Sequence, residues 1–242
     1  MWDLRELHRV YGLTACLLLA APLVHAHKKP QPAKRWAANV PGCEFKRGED
    51  GRYRWTMVAD DLGITVMVDS QELTKTRHRL YHGLAVYLSA TYTGQSKLEF
   101  PADVRMEFIL HHNVIEAYDD PTELSTRLQN DVDTLVFDTE REMKKDPKKA
   151  DEKTARAREY EKEVAEFIEF LSTQSLQPAT LTPGDPEVHG WVFFGTKNKW
   201  IGPWKNPEHF ILRVLLKDKV VWEFPLFMPP SEDDLILRKR DE

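Results

Sequence analysis

Apolar side chains recur at every second position through stretch after stretch of this chain, and that period limits the fold more than any other feature. Tyr53, Trp55 and Met57 share one phase, as do Leu84, Val86, Leu88, Ala90 and Tyr92. Val104, Met106, Phe108 and Leu110 repeat the scheme, with Arg105 and Glu107 opposite. Phe210, Leu212, Val214 and Leu216 do the same, and after Lys217-Asp218-Lys219 the pattern returns in Val220, Trp222, Phe224 and Leu226. A strand turns successive side chains to opposite faces, so this period means sheets with one face buried. The predicted strands are 52–58, 64–68, 84–92, 104–110, 188–194, 210–216 and 220–227. Turn chemistry between them, such as Asp60-Asp61-Leu62-Gly63, points to a mainly β antiparallel sandwich. Pro225 lacks a backbone donor, which places the last strand at an edge or bends it there.

The 242 residues are 41% hydrophobic and 30% charged, enough for one large domain with its own core. A net charge of −5 argues against a nucleic-acid partner. Cys16 and Cys43 are the two cysteines, too few for a disulfide framework.

Residues 1–26 have the form of a secretory signal peptide. Arg5 and Arg9 precede an apolar run from Val10 to Val24, and Val24-His25-Ala26 presents small residues for cleavage after Ala26. The run contains Pro22 and is short for a membrane span of about 20 residues. Leu13-Thr14-Ala15-Cys16 is the alternative, a lipobox whose lipidation at Cys16 would tie the protein to a membrane; its strongest apolar run, however, follows the cysteine. The expected location is exported, periplasmic or secreted. Residues 27–48, with Pro30, Pro32 and several cations, read as an extended tether from which Trp36 packs back onto the domain. The sandwich is expected over 49–230 and a charged tail over 231–242, in which Leu235-Ile236-Leu237 is an alternative edge strand.

One segment, 121–175, breaks the β pattern. Asp120-Pro121 with Glu123 is a helix start, and Leu124, Leu128, Val132, Leu135, Thr139 and Met143 form one helical stripe. Val132 to Phe137 has strand propensity as its competing reading. Asp146-Pro147 restarts a second helix, on which Tyr160, Val164, Phe167, Ile168 and Leu171 share a face. This predicts a helical hairpin whose base docks on the sandwich and whose charged tip stands in water.

Between the strands, Leu181-Thr182-Pro183-Gly184 is a turn in which Gly184 is expected to supply a positive φ. The run that follows, His189-Gly190-Trp191-Val192-Phe193-Phe194, is β-branched and aromatic, as a largely buried strand requires. The pattern Leu-x-Pro-Gly-x(5)-Gly-x-Val-x-Phe, followed by a hydrophobic hairpin ending Phe224-Pro225-Leu226, resembles bacterial exported immunoglobulin-like domains of unknown function. The resemblance spans residues 181–228 and implies an immunoglobulin-like antiparallel β-sandwich, here with an inserted α-helical hairpin. Its residues are turn and core residues, so it carries no catalytic assignment.

No nucleophile elbow, zinc-protease helix, Cys-x-x-Cys or phosphate-binding glycine loop occurs in the sequence. The candidate binding residues are Trp200 and Trp204 with Lys199 and Lys205, in the loop around Gly202-Pro203. Exposed tryptophans on a sandwich loop stack on sugars or anchor a partner, whereas buried ones cap the core. His78 and His82, and the adjacent His111 and His112, do not converge by spacing. Cleavage after Ala26 would leave His27 as an amino-terminal copper(II) ligand, an alternative metal reading similar to histidine-brace proteins. The expected function is therefore a non-enzymatic binding or structural protein of the bacterial envelope, without a cofactor, whose partner is an envelope protein or a glycan. A carbohydrate- or peptidoglycan-binding accessory domain and a copper-binding protein are the alternatives.

Overall fold

A computed structural model describes residues 33–69, 83–145, 150–195, 207–217 and 220–228. The chain order is β1 (Lys34–Arg35), β2 (Cys43–Arg47), β3 (Arg52–Ala59), β4 (Leu62–Asp69), β5 (Gly83–Tyr92), β6 (Leu98–Phe100), β7 (Asp103–Phe108) and β8 (Val114–Ala117). Two helices follow, α1 (Pro121–Lys145) and α2 (Ala150–Gln174), then β9 (Ala179–Leu181), β10 (Glu187–Gly195), β11 (Glu208–Leu215) and β12 (Val221–Met228). The first sheet has the order β1-β12-β11-β7-β8 and the second β10-β5-β4-β3-β2, while β6 and β9 form a short ladder. The predicted strands all appear, antiparallel, so the mainly β sandwich with a helical hairpin stands.

The alternation explains how the two sheets close on each other. Leu84, Val86, Leu88 and Ala90 of β5 face Val104, Met106 and Phe108 of β7 and the inner residues of β11 and β12 in a single buried cluster. Phe108 and Phe210, on neighbouring strands, meet edge-on with centroids 5.2 Å apart. Such side chains stabilise the fold by about 1.5–3 kcal/mol each when fully buried.

The outer face of the second sheet is covered instead by the helices. β10 is apolar on both sides because it serves two cores: Val192 and Phe194 join the sandwich, and Phe193 joins Leu124, Leu128, Val132, Val164 and Leu171. Continuous hydrophobicity, rather than alternation, is what burial on both faces demands. Asp120 starts α1 as expected, its Oδ1 accepting the Thr122 and Glu123 amides at 2.8 and 3.0 Å. Val132 to Phe137 is helical, and the stripe passes from buried Leu124, Leu128 and Val132 to half-buried Leu135, Thr139 and Met143. The Asp146-Pro147 restart lies outside the described residues. Beyond Val164 toward its start, α2 packs mainly on α1, through Ala157, a Thr154 Oγ1 contact to Met143 Sδ at 3.0 Å and a Lys153–Glu142 pair at 2.7 Å.

Four expectations need correction. First, the segment read as a tether is built into both sheets. β1 lies parallel to β12, β2 forms the edge beyond β3, and the Trp36 indole donates to Thr56 O at 3.0 Å and Glu44 O at 3.3 Å. Residues 33–47 thus strap the open side of the sandwich. Second, β12 is not the outermost strand. β1 pairs only with Trp222 and Glu223, and pairing ends where Pro225 has no N–H to offer. Third, the strand expected to reach Leu110 ends at Phe108. The chain then turns through His112 and Asn113 at φ 59° and 54°, leaving Leu110 60% exposed. Fourth, Thr182 and Asp185 do close a tight turn by mutual amide–carbonyl bonds, but Gly184 takes no positive φ and has open space around it.

Gly190 is one glycine the fold requires; Gly42, at φ 84° with an added Cβ running into Val58 O, is another. The chain leaving α2 crosses β10 at Gly190, with the Leu176 amide bonded to Trp191 O at 2.8 Å. A Cβ on Gly190 would lie 2.5 Å from Leu176 N and Cα.

Candidate functional site

Trp200, Trp204, Lys199 and Lys205 lie outside the described residues, as do His27, Cys16, His78, His82 and the 231–242 tail. The tryptophan loop's described anchor points are Gly195 and Glu208. Both stand at the end of the sandwich where β5 begins and β12 finishes, since Gly195 pairs with Gly83 and Glu208 with Met228. Two buried carboxylates also stand at this end. Asp69 receives Arg52 Nε at 3.3 Å, and Glu208 Oε1 lies 3.3 Å from His111 Nε2. Of the adjacent histidines, His111 is half-buried on Glu208 and His112 is exposed, so the turn separates them. Among the described residues no three His, Cys, Asp or Glu side chains converge as a metal site, and no helix is long and apolar enough to cross a membrane.

The opposite end holds a cleft of about 600 Å³. Several separate segments build it. The β3–β4 hairpin turn supplies Asp60 and Asp61, with Asp60 at φ 51° in a two-residue loop between the paired Ala59 and Leu62. Asp tolerates that backbone better than most residues because its short side chain bonds locally. The segment after β5 supplies Lys97 and is pinned by the Thr93 amide bonding Asp61 O at 2.8 Å and by Tyr92 Oη with Ser96 Oγ at 2.8 Å. β6 and β9 contribute Glu99 and Thr180, and the β11–β12 turn contributes Lys217. β1 brings Lys34 across from the strap.

The floor of the cleft is apolar, through Leu62, Tyr92, Leu98, Leu216, Val220 and Trp222. Its rim is charged and largely self-neutralised. Lys34 pairs with Asp60, and its ammonium also sits 5.2 Å from the centre of the Trp222 ring, a cation–π contact. Lys217 pairs with Glu99 at 2.6 Å. Trp222 is 1% exposed, and its buried indole N–H has no hydrogen-bond partner among the described residues. A concave site with an apolar floor and a few polar groups at its rim suits a small ligand.

Sequence reasoning noted Asp60-Asp61 as a turn and Lys217 as a hairpin tip but did not join them. The available signal was topological. Once β3–β4, β5–β6 and β11–β12 are each read as connections at the same end, their polar tips must gather there.

A second surface lies on the outer face of the second sheet, beside α2. Tyr87 faces Trp191 edge-on at 5.4 Å and stacks near His189 at 5.9 Å. His189 is exposed and the other two are half-buried. Burial pushes the Tyr87 hydroxyl above its ordinary pKa, against the opposing charge of Arg52. Ser89, Thr65 and Thr56 continue the same row across the sheet, with the two threonine hydroxyls 3.0 Å apart.

Searches against protein-family models, curated proteins and solved structures find no match to the chain.

Proposed function

We propose that this is an exported, non-enzymatic binding protein of the bacterial envelope, built on an immunoglobulin-like sandwich and using the end cleft as its binding site. The observation that carries the reading is the convergence of β1, the β3–β4 turn, the segment after β5, β6, β9 and the β11–β12 turn on one cleft. The signal-like residues 1–26 support export. The immunoglobulin-like assignment is supported by the resemblance over 181–228 and by β1 lying parallel to β12 beside the β11–β12 hairpin. The helical hairpin extends the second sheet outward and offers a further contact surface. Co-sedimentation of the mature chain with purified envelope fragments tests the reading. Wild type is expected to be retained. Thr180→Trp, which places a large ring in the cleft from an exposed position, is expected to remain folded and to lose retention. Equal retention of the two proteins, or retention of neither, would refute it.

The glycan reading has its own supporting observation. The Tyr87, His189 and Trp191 rings beside a row of hydroxyls offer both stacking faces and hydrogen-bonding groups, as a sugar ring requires. It predicts that Trp191→Ala, rather than Thr180→Trp, abolishes retention.

A further inference from the structure

We infer that the end cleft takes a small zwitterion with an apolar body, a short peptide with free termini being the simplest form. The inference rests on the reading of this cleft as the binding site and adds the class of ligand. Six charged side chains line the cleft: Lys34, Asp60, Asp61, Lys97, Glu99 and Lys217. Four of them cancel within the protein, Lys34 with Asp60 and Lys217 with Glu99. A ligand group seeking any of these four must first break an existing pair. Lys97 and Asp61 are different, because among the described residues neither forms an ion pair and neither has any further electrostatic partner. One cation and one anion are thus open to a ligand, and the complementary ligand carries one carboxylate and one ammonium.

The same arrangement favours a zwitterion over simpler ligands. A ligand with a single charge would engage only one of Lys97 and Asp61, both exposed at the rim, and so makes one charge-assisted contact fewer. A neutral ligand would make neither. The apolar floor of Leu62, Leu98, Leu216 and Val220 supplies the area on which an uncharged side chain is removed from water. The volume suits a few amino-acid residues rather than a polymer threaded through, since small-ligand sites run from about 300 to 1,000 Å³.

The test is equilibrium binding, by ligand-observed NMR, of a pool of apolar tripeptides with free termini, set against the same pool N-acetylated and C-amidated. The free pool is expected to bind, and the blocked pool to bind at least about tenfold more weakly, as loss of two charge-assisted contacts implies. Lys97→Glu and Asp61→Lys should each weaken the free pool by about tenfold. The double variant should recover binding, because the ligand can lie in the reverse direction. Circular dichroism melts of all three variants should match wild type, as both side chains are on the rim. Equal binding of the two pools, unaltered binding by the single variants, or binding of neither pool would overturn the zwitterion class. Envelope co-sedimentation separates the two levels. Retention that Thr180→Trp abolishes but Lys97→Glu leaves intact refutes the ligand class alone, whereas retention that Thr180→Trp leaves intact, or no retention of wild type, refutes the binding-site reading as well.

Discussion

The ring of Phe167 on α2 meets Phe193 on β10 edge-on, with centroids 5.8 Å apart and planes at 84°. Phe170 approaches the same ring at 6.4 Å and 83°. Phe193 is the outward neighbour of Val192 and Phe194, which belong to the sandwich core, so one strand couples the helical hairpin to both sheets. Phe193→Ala should cost about 3–5 kcal/mol in a denaturant melt, the range for a buried aromatic. A loss below about 1 kcal/mol would mean that the hairpin docks elsewhere.

The hairpin's two halves should behave differently. Joining Val136 to Ala157 through a short Gly-Ser linker removes the part of the insertion that packs mainly on itself, and should change stability by no more than about 1 kcal/mol. Replacing 121–175 entirely would uncover Phe193 and Ala85, which the helices bury. That variant is expected to be insoluble or to bind a hydrophobic dye. A monomeric, dye-free whole-insertion deletion would contradict the packing described.

Gly190 and Gly184 give a paired test of the backbone argument. Gly190→Ala should destabilise by about 1–3 kcal/mol, as overpacking against Leu176 requires. Gly184→Ala, with open space and no left-handed backbone, should be neutral or stabilising by about 0.4–1 kcal/mol. Thermal melts of the two variants decide it, and a reversed order would contradict the chain crossing at β10.

Glu116, on the edge strand β8, points the same way as Met106 opposite it, and burial together with nearby Asp119 raises its pKa. A carboxyl raised in the folded state favours folding while protonated, and that contribution is lost as pH rises through the raised value. Glu116→Gln should therefore raise the melting temperature at pH 7, with the difference shrinking below about pH 4. A destabilised variant at pH 7 would show instead that the carboxylate is held by a favourable contact.

The strands and their inward faces were legible because burial on one side writes itself into every second residue, as Leu84 to Tyr92 shows. The helix start was legible for a similarly local reason, since Asp120 needs only its own next three residues to cap them. The strap was not. Pro30, Pro32 and a cluster of cations look like a solvated linker, and nothing local reveals that Trp36 finds carbonyls at Glu44 and Thr56. Trp36→Phe should cost about 0.5–1.5 kcal/mol for the shared indole donor while keeping the ring. The cleft was illegible for the opposite reason. Its charges sit on turns that are far apart in sequence, and only strand pairing brings Asp61, Lys97 and Lys217 to one end.

The most direct measurement of the central claim is amide chemical-shift mapping of the isotope-labelled mature chain during titration with soluble envelope-derived peptide and glycan fragments. Saturable shifts concentrated at Asp60–Leu62, Tyr92–Glu99 and Leu216–Trp222 are the predicted result. Shifts confined to Tyr87, His189 and Trp191 or to the 196–206 loop, or the absence of any saturable shift, would contradict the assignment of the cleft as the binding site.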